Sequence, residues 1–190
     1  MVLRRLAVTN TDVWFDESLA SARRGEPAGF DALYNTLGGP VTAFGQSRGA
    51  TDPEGITNEV FVDVFRNIAT FSGDYSGFRS WVFTIARHRL IDSHRRDQRQ
   101  RLAPSAVVVD IKTPSAEHVA MAQLGDARVS ELMSILTSDQ RDVIALRIVA
   151  DLPLAEVAKI IGKPVTAVKR LQARALRRLQ REILDREVSE

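Results

Sequence analysis

The chain has no cysteine among its 190 residues, which excludes disulfides, thiolate metal sites and a cysteine nucleophile. Aromatic residues are only 6% of a chain that is 44% apolar, so any core is mostly aliphatic. No stretch approaches the roughly 18–20 consecutive apolar residues of a membrane span. The opening "MVLRRLAVTNTDVW" lacks the long apolar run and small-residue cleavage site of a secretory leader. A soluble, cytoplasmic protein with no membrane insertion is expected. Strand signals are scarce too: the single β-branched run, "AVVVDI" at Ala106–Ile111, sits between Pro104 and Pro114. No phosphate-binding glycine loop of Walker type is present. Asp92-Ser93-His94 has the letters of a hydrolase triad, but consecutive helical residues point to different faces. His88 and His94 lack a third ligand at metal spacing. The expectation is a protein that is not an enzyme and needs no metal or cofactor.

What is present is segregated charge. The net charge of +2 conceals two basic blocks. Residues 79–101 hold 7 arginines against 2 aspartates, and residues 163–181 hold 7 basic side chains and no acid. The flanking segments are all net acidic. Two basic blocks far apart in sequence, each ending a helical unit, point to two contacts with one polyanion, namely nucleic acid.

The remaining pattern is helical. Helices are expected over Thr11–Arg24, from Ala28 to about Tyr34, near Pro40–Arg48, and over Pro53–Phe71, with Asp52 as N-cap and Pro53 at the first helical position. Ile56, Val60, Phe61, Val64, Phe65 and Ile68 recur at three- and four-residue steps, a broad buried stripe. "SGDYSG", Ser72–Gly77, reads as a loop before another helix, in which Trp81, packed with Ile85, and Phe83 are expected in the core. Residues 98–122 lose the period and read as a linker too long for a loop inside one compact domain. Beyond it, Thr137 with Gln140 forms a capping-box pattern. A short helix at Leu154–Ile161, a turn at Gly162-Lys163-Pro164 and a long basic helix from Val165 then have helix-turn-helix form. Val168, Leu171, Ala175 and Leu179 make the inward stripe of that last helix. Thr166, Lys169, Arg170, Arg174 and Arg177 lie off it, as a recognition helix requires.

These residues match a known family. "SARRGEPAGFDALYNTL", "DPEGITNEVFVDVFRNIATF" and "FRSWVFTIARHRLIDSHRR" resemble region 2 of bacterial RNA polymerase sigma factors of the extracytoplasmic-function type. "LTSDQRDVIALRIVADLPLAEVAKIIGKPVTAVKRLQARALRRL" resembles their region 4. The resemblance implies an all-α protein of two small helical domains joined by a flexible linker: a tail over 1–14, region 2 over 15–97, a linker over 98–126 and region 4 over 127–186. It implies binding to core RNA polymerase, at the clamp of β′ and the flap of β, with Asn58, Glu59, Phe61, Val62 and Phe65 on the polymerase-facing helix. Gly55 and Asn58 stand where the family usually has acidic and glutamine residues. Promoter DNA at the −10 element would meet Tyr75, Arg79, His88, Arg89, Asp92, His94, Arg95 and Arg96, with "FSGDYSG" holding an extruded base. At the −35 element Thr166, Lys169 and Arg170 would read bases, and Arg174 and Arg177 would meet phosphates. An anti-sigma factor would cover the polymerase-binding faces. The rival reading is a helix-turn-helix regulator with an N-terminal sensing domain, for which a second basic helix serves no purpose.

Overall fold

The structure is a computed structural model and describes residues 10–102, 128–129 and 131–187. All regular structure among them is helical. Helix α1 spans Asn10–Arg23, α2 Pro27–Ser47 and α3 Pro53–Asn67, ending in a 3-10 turn at Ile68–Thr70, and α4 spans Tyr75–Leu102. Beyond the linker, residues 131–134 are helical. Helix α5 (Ser138–Ile144) widens into a π turn at Ala145–Val149 and is followed by α6 (Leu154–Ile161) and α7 (Val165–Glu187). Helix α4 runs into the expected linker; the run Ala106–Ile111 and the rest of that linker lie outside the described residues.

Local chemistry sets several helix starts. Asp52 Oδ1 accepts the Gly55 amide at 2.8 Å, capping α3 ahead of Pro53. Thr137 and Gln140 form the reciprocal capping box of α5, the Thr137 amide reaching Gln140 Oε1 at 3.0 Å. Asp74 Oδ1 accepts the Gly77 amide at 2.8 Å, so α4 starts at Tyr75, inside the stretch expected to be loop. Gly162 closes α6 in the left-handed conformation at φ 67°, which a residue without Cβ adopts freely.

One expectation is corrected outright. The Gly38-Gly39-Pro40 stretch, read as a break between two helices, lies inside the single helix α2. An internal proline costs about 3 kcal/mol. Leu33, Leu37, Val41 and Phe44 are all buried along the same helix, and each buried side chain of that size contributes about 1.5–3 kcal/mol. The sum outweighs the lost hydrogen bond, and α1 and α3 pack α2 into continuity.

Ile56, Val60, Phe61, Val64 and Ile68 of α3 are buried as predicted, together with Phe78, Val82, Phe83, Ala86 and Leu90 of α4. After Leu90, α4 continues for twelve residues, about 18 Å at 1.5 Å per residue, so its arginine-rich half projects beyond the last buried side chain. In the second unit, Val143, Leu146, Leu152, Val157, Val168 and Ala175 form the centre, each 0% exposed.

Candidate nucleic-acid interface

Helix α7 is the simpler of the two basic surfaces. Each helical residue turns about 100°, so the buried or half-buried Val168, Leu171, Ala175 and Leu179 share one side. Thr166, Lys169, Arg170, Arg174 and Arg177 fall on the opposite side, and all five are exposed. None of the five forms an ion pair among the described residues. The structure therefore brings the whole predicted −35 set onto one free basic face. Rise along the helix separates its members. Thr166 to Arg170 covers about 6 Å, whereas Arg177 lies about 16 Å from Thr166, beyond the ~12 Å width of a major groove. The first group can reach base edges while the second meets the backbone.

Helix α4 divides its predicted residues among four directions. Arg89 and Arg96 turn to α3: Arg89 Nε donates to Asp63 Oδ2 at 2.6 Å, Arg89 also lies 3.5 Å from Glu59, and Arg96 lies 3.6 Å from Glu59. The hydrogen bond with Asp63 holds the Arg89 guanidinium pKa above its ordinary value. Arg79 turns to the second helical unit, where its Nη2 donates to the carbonyls of Ala150 and Asp151. His94 lines a cleft with Arg48, Asp97, Ser138 and Arg141. Only His88, Asp92 and Arg95 are left on the outward face; all three are exposed, and Arg95 lies 3.9 Å from Asp92. The predicted group is thus one helix but not one surface.

Tyr75, expected in an exposed loop, is half-buried at the first turn of α4. Its ring stands edge-on to Trp14 at 5.8 Å and lies 5.6 Å from Phe15. Burial raises its phenol pKa above the ordinary value, with the Arg79 charge, 5.8 Å from the ring centroid, opposing. Trp81 is also corrected: it is not core but half-buried, and its ring stacks on Phe71 at 5.3 Å and 26°. At helical steps of three and four, Trp81, Ile85, His88, Asp92 and Arg95 follow one line along α4. That spacing is the signal by which Trp81 could have joined the exposed set. Phe71 is itself tied down, since Arg23 donates to its carbonyl. Ser72, Gly73 and Asp74 beside it are exposed, so an aromatic stack lies under a short loop of accessible backbone, and unpaired bases stack on such surfaces.

The polymerase-facing set splits as well. Asn58 is exposed, its Oδ1 accepting from the Tyr34 hydroxyl at 3.1 Å. Val62 is 45% exposed. Glu59 is engaged by Arg89 and Arg96. Phe65 is half-buried against Phe30 at 4.7 Å. Phe61 is 2% exposed and packs between Tyr34 and Phe65. It belongs to the core rather than to a contact surface, because the stripe on α3 is broad enough to bury one side completely.

Among the described residues, no group of three or more histidine or acidic side chains is placed to hold a metal ion, and no helix is long and apolar enough to cross a membrane.

Comparison with known proteins gives this geometry a family. Residues 34–100 match Sigma-70 region 2 and residues 132–181 match Sigma-70, region 4. The chain is 30% identical over 187 residues to the ECF RNA polymerase sigma factor BldN of Streptomyces coelicolor, an alignment covering 96% of this chain and 70% of that one. It is 30% identical over 139 residues to the ECF RNA polymerase sigma factor SigD of Mycobacterium tuberculosis, covering 72% of this chain and 66% of that one. Among solved structures, CnrH in complex with the cytosolic domain of CnrY shares the fold, with a TM-score of 0.68 at 23% identity over 90% of this chain and 97% of that one. The segment that the rival reading reserved for a sensing domain is region 2. With both regions present in order, the chain belongs to the extracytoplasmic-function sigma factors of the Sigma-70 family, which direct core RNA polymerase to promoters.

Proposed function

We propose that this sigma factor divides promoter recognition between α7 on the −35 element and the outward line of α4 on the −10 element. The observation that carries this is the free basic face of α7, opposite its buried stripe, coupled in one chain to a second arginine-rich helix that outruns its own core. Thr166, Lys169 and Arg170 read bases; Arg174 and Arg177 meet phosphates. His88, Asp92 and Arg95 meet the −10 strand directly. Arg79, Arg89, His94 and Arg96 join them only when their present partners let go. Extruding a base from the stack costs a few kcal/mol and needs a receiving surface; the loop at Ser72–Asp74 over Phe71 and Trp81 supplies it.

The functional division follows 15–97 for region 2, 98–126 for the linker and 127–186 for region 4, with α4 carrying region 2 on into the linker. Asn58, Val62 and the exposed edge of Phe65 dock on the β′ clamp, and region 4 docks on the β flap. The protein acts in the cytoplasm and performs no chemistry of its own. An anti-sigma partner covers the exposed apolar side chains: Val62 on α3, and Leu176, Ile183 and Leu184 on α7, each more than 40% exposed. CnrH, which shares this fold, forms a complex with the cytosolic domain of CnrY, and that pairing supports such a partner. With no cysteine in this chain, any thiol switch resides in that partner.

In vitro transcription with purified core polymerase and a pool of genomic fragments tests the reading. Promoter-dependent transcripts that require this protein are expected. A protein that footprints DNA alone yet gives no transcript with core refutes it.

A further inference from the structure

Two adjacent arginines close α1, and the fold uses them differently. Arg24 is held locally: its Nε and Nη2 donate to the Glu26 carboxylate at 2.6 and 2.9 Å. Arg23 instead reaches a segment 48 residues further along the chain, where its Nη2 donates to the Phe71 carbonyl. Ala22, 2% exposed, anchors this end of α1 in the core, so the Arg23 side chain extends from a fixed point. Arg23 itself is exposed and forms no ion pair among the described residues.

The carbonyl it takes is one that the backbone leaves open. Phe71 follows the 3-10 turn Ile68–Thr70 in an extended conformation, φ −68° and ψ 137°, so its C=O stands outside the helical ladder. No backbone amide among the described residues donates to it; the guanidinium supplies the partner a backbone acceptor needs. The Phe71 ring is the floor of the loop that follows. It stacks on Trp81 at 5.3 Å and stands edge-on to Phe15 at 6.4 Å and to Phe78 at 5.2 Å. Gly73 crosses that ring at φ 149°, and a Cβ there would meet Phe71 Cζ at 3.3 Å, so the backbone rides on the ring edge. The far end of the loop is fixed by Asp74, whose Oδ1 caps α4 through the Gly77 amide at 2.8 Å. Ser72 and Gly73 lie exposed between these two anchors and make no backbone hydrogen bond among the described residues.

Holding both ends matters for what the loop does. Fixing a backbone in one conformation costs entropy, and a loop already fixed has met that cost before its ligand arrives. Without the Arg23 anchor the Phe71 carbonyl turns to water, and the loop orders only as a base enters. Extrusion of the base has its own cost, so the receiving surface would then have to offset both.

We propose that Arg23 is a positioning residue for promoter opening: it clamps the Phe71 carbonyl and thereby holds the Ser72–Asp74 loop in the shape that receives the extruded −10 base. The effect on DNA rests on the promoter reading above; the clamp on the loop does not.

The test uses the full chain with Arg23→Met, which keeps the side-chain length and removes the donors, and with Arg23→Lys, which restores one. Because Arg23 is exposed, both should fold as the wild type does. Backbone amide order parameters from NMR relaxation read the loop. Fluorescence anisotropy with holoenzyme reads affinity for the −10 single strand of a promoter recovered in the transcription test, intact or with one base at a time replaced by an abasic site. The wild-type loop is expected near the rigid value of about 0.85, and the R23M loop at about 0.6 or below. R23M should bind the intact strand about tenfold more weakly, the scale of one hydrogen bond, with an unchanged salt slope. It should also lose much less than the wild type at the abasic position that weakens wild-type binding. R23K should recover most of both readouts. A wild-type loop that is already flexible, or an R23M loop as ordered as the wild type, overturns the clamp. A full abasic penalty in R23M overturns the coupling of the clamp to base capture. A salt slope lower by about 0.7 would make Arg23 a phosphate contact and overturn its positioning role. If no abasic site weakens the wild type, the base-receiving reading falls, and the order parameters still decide the clamp.

Discussion

The sharpest consequence of the α7 geometry is a qualitative split between two arginines on the same exposed face. Arg170 lies about 6 Å along the helix from Thr166, within the reach of a groove; Arg177 lies about 16 Å along, past its edge. Arg170→Ala removes a donor that pairs with base acceptors, so the loss should be about 1–3 kcal/mol on the matched −35 sequence and near zero on a scrambled one. In affinity that is about 5- to 150-fold, at 1.4 kcal/mol per decade. Arg177→Ala removes one phosphate contact. Both sequences should weaken equally, and the slope of log affinity against log salt should fall by about 0.9. Neither substitution should affect folding, since both side chains are exposed and unpaired among the described residues. Anisotropy titrations of holoenzyme on matched and scrambled duplexes at several salt concentrations separate the two effects. If R177A loses discrimination while R170A lowers only the salt slope, the helix enters the groove in the opposite sense and the assignment of reading and positioning residues fails.

Four further substitutions probe region 2. Trp81→Ala should cost about 2 kcal/mol in urea unfolding, from the lost ring stack on Phe71 and partial burial, and should also slow promoter opening read by permanganate reactivity; wild-type opening in W81A would return Trp81 to a purely structural role. On α3, Phe61→Ala should destabilise by about 3–5 kcal/mol as a buried deletion, whereas Val62→Asp should leave the melting curve unchanged and abolish assembly with core, and the reverse pattern would place the docking face wrongly. At the end of α1, hydrogen bonds from Arg24 and then Ser21 lower the Glu26 pKa from 4.5 to about 2. A depressed carboxyl contributes stability that is fully present above pH 4.5 and lost as pH falls toward 2. Because the pair is exposed to solvent, the effect is small: Glu26→Gln should sit slightly below wild type at neutral pH and converge with it near pH 2, and a gap that widens on acidification would contradict the sign.

Much of this architecture was legible because the signals are local. A capping box closes within three residues, a left-handed glycine ends a helix by its own conformational freedom, and an apolar stripe repeats every three or four positions. Thr137 with Gln140, Gly162 and the buried line through Val168 and Ala175 needed no distant partner to be read. The free basic face of α7 follows from the same periodicity, since a side chain opposite a buried stripe has only solvent or a ligand to meet. What the tertiary structure alone decided depends on residues far apart in the chain. Packing on both flanks overrode the glycine–proline break in α2. Asp63 and Glu59 of α3 claimed Arg89 and Arg96, so charged residues that look equivalent along α4 are not. Asp142 found Arg48 across the whole of α3, α4 and the linker. An arginine written in a sequence announces a charge, but its partner is chosen by which carboxylate the fold brings within about 4 Å and how much water it leaves there.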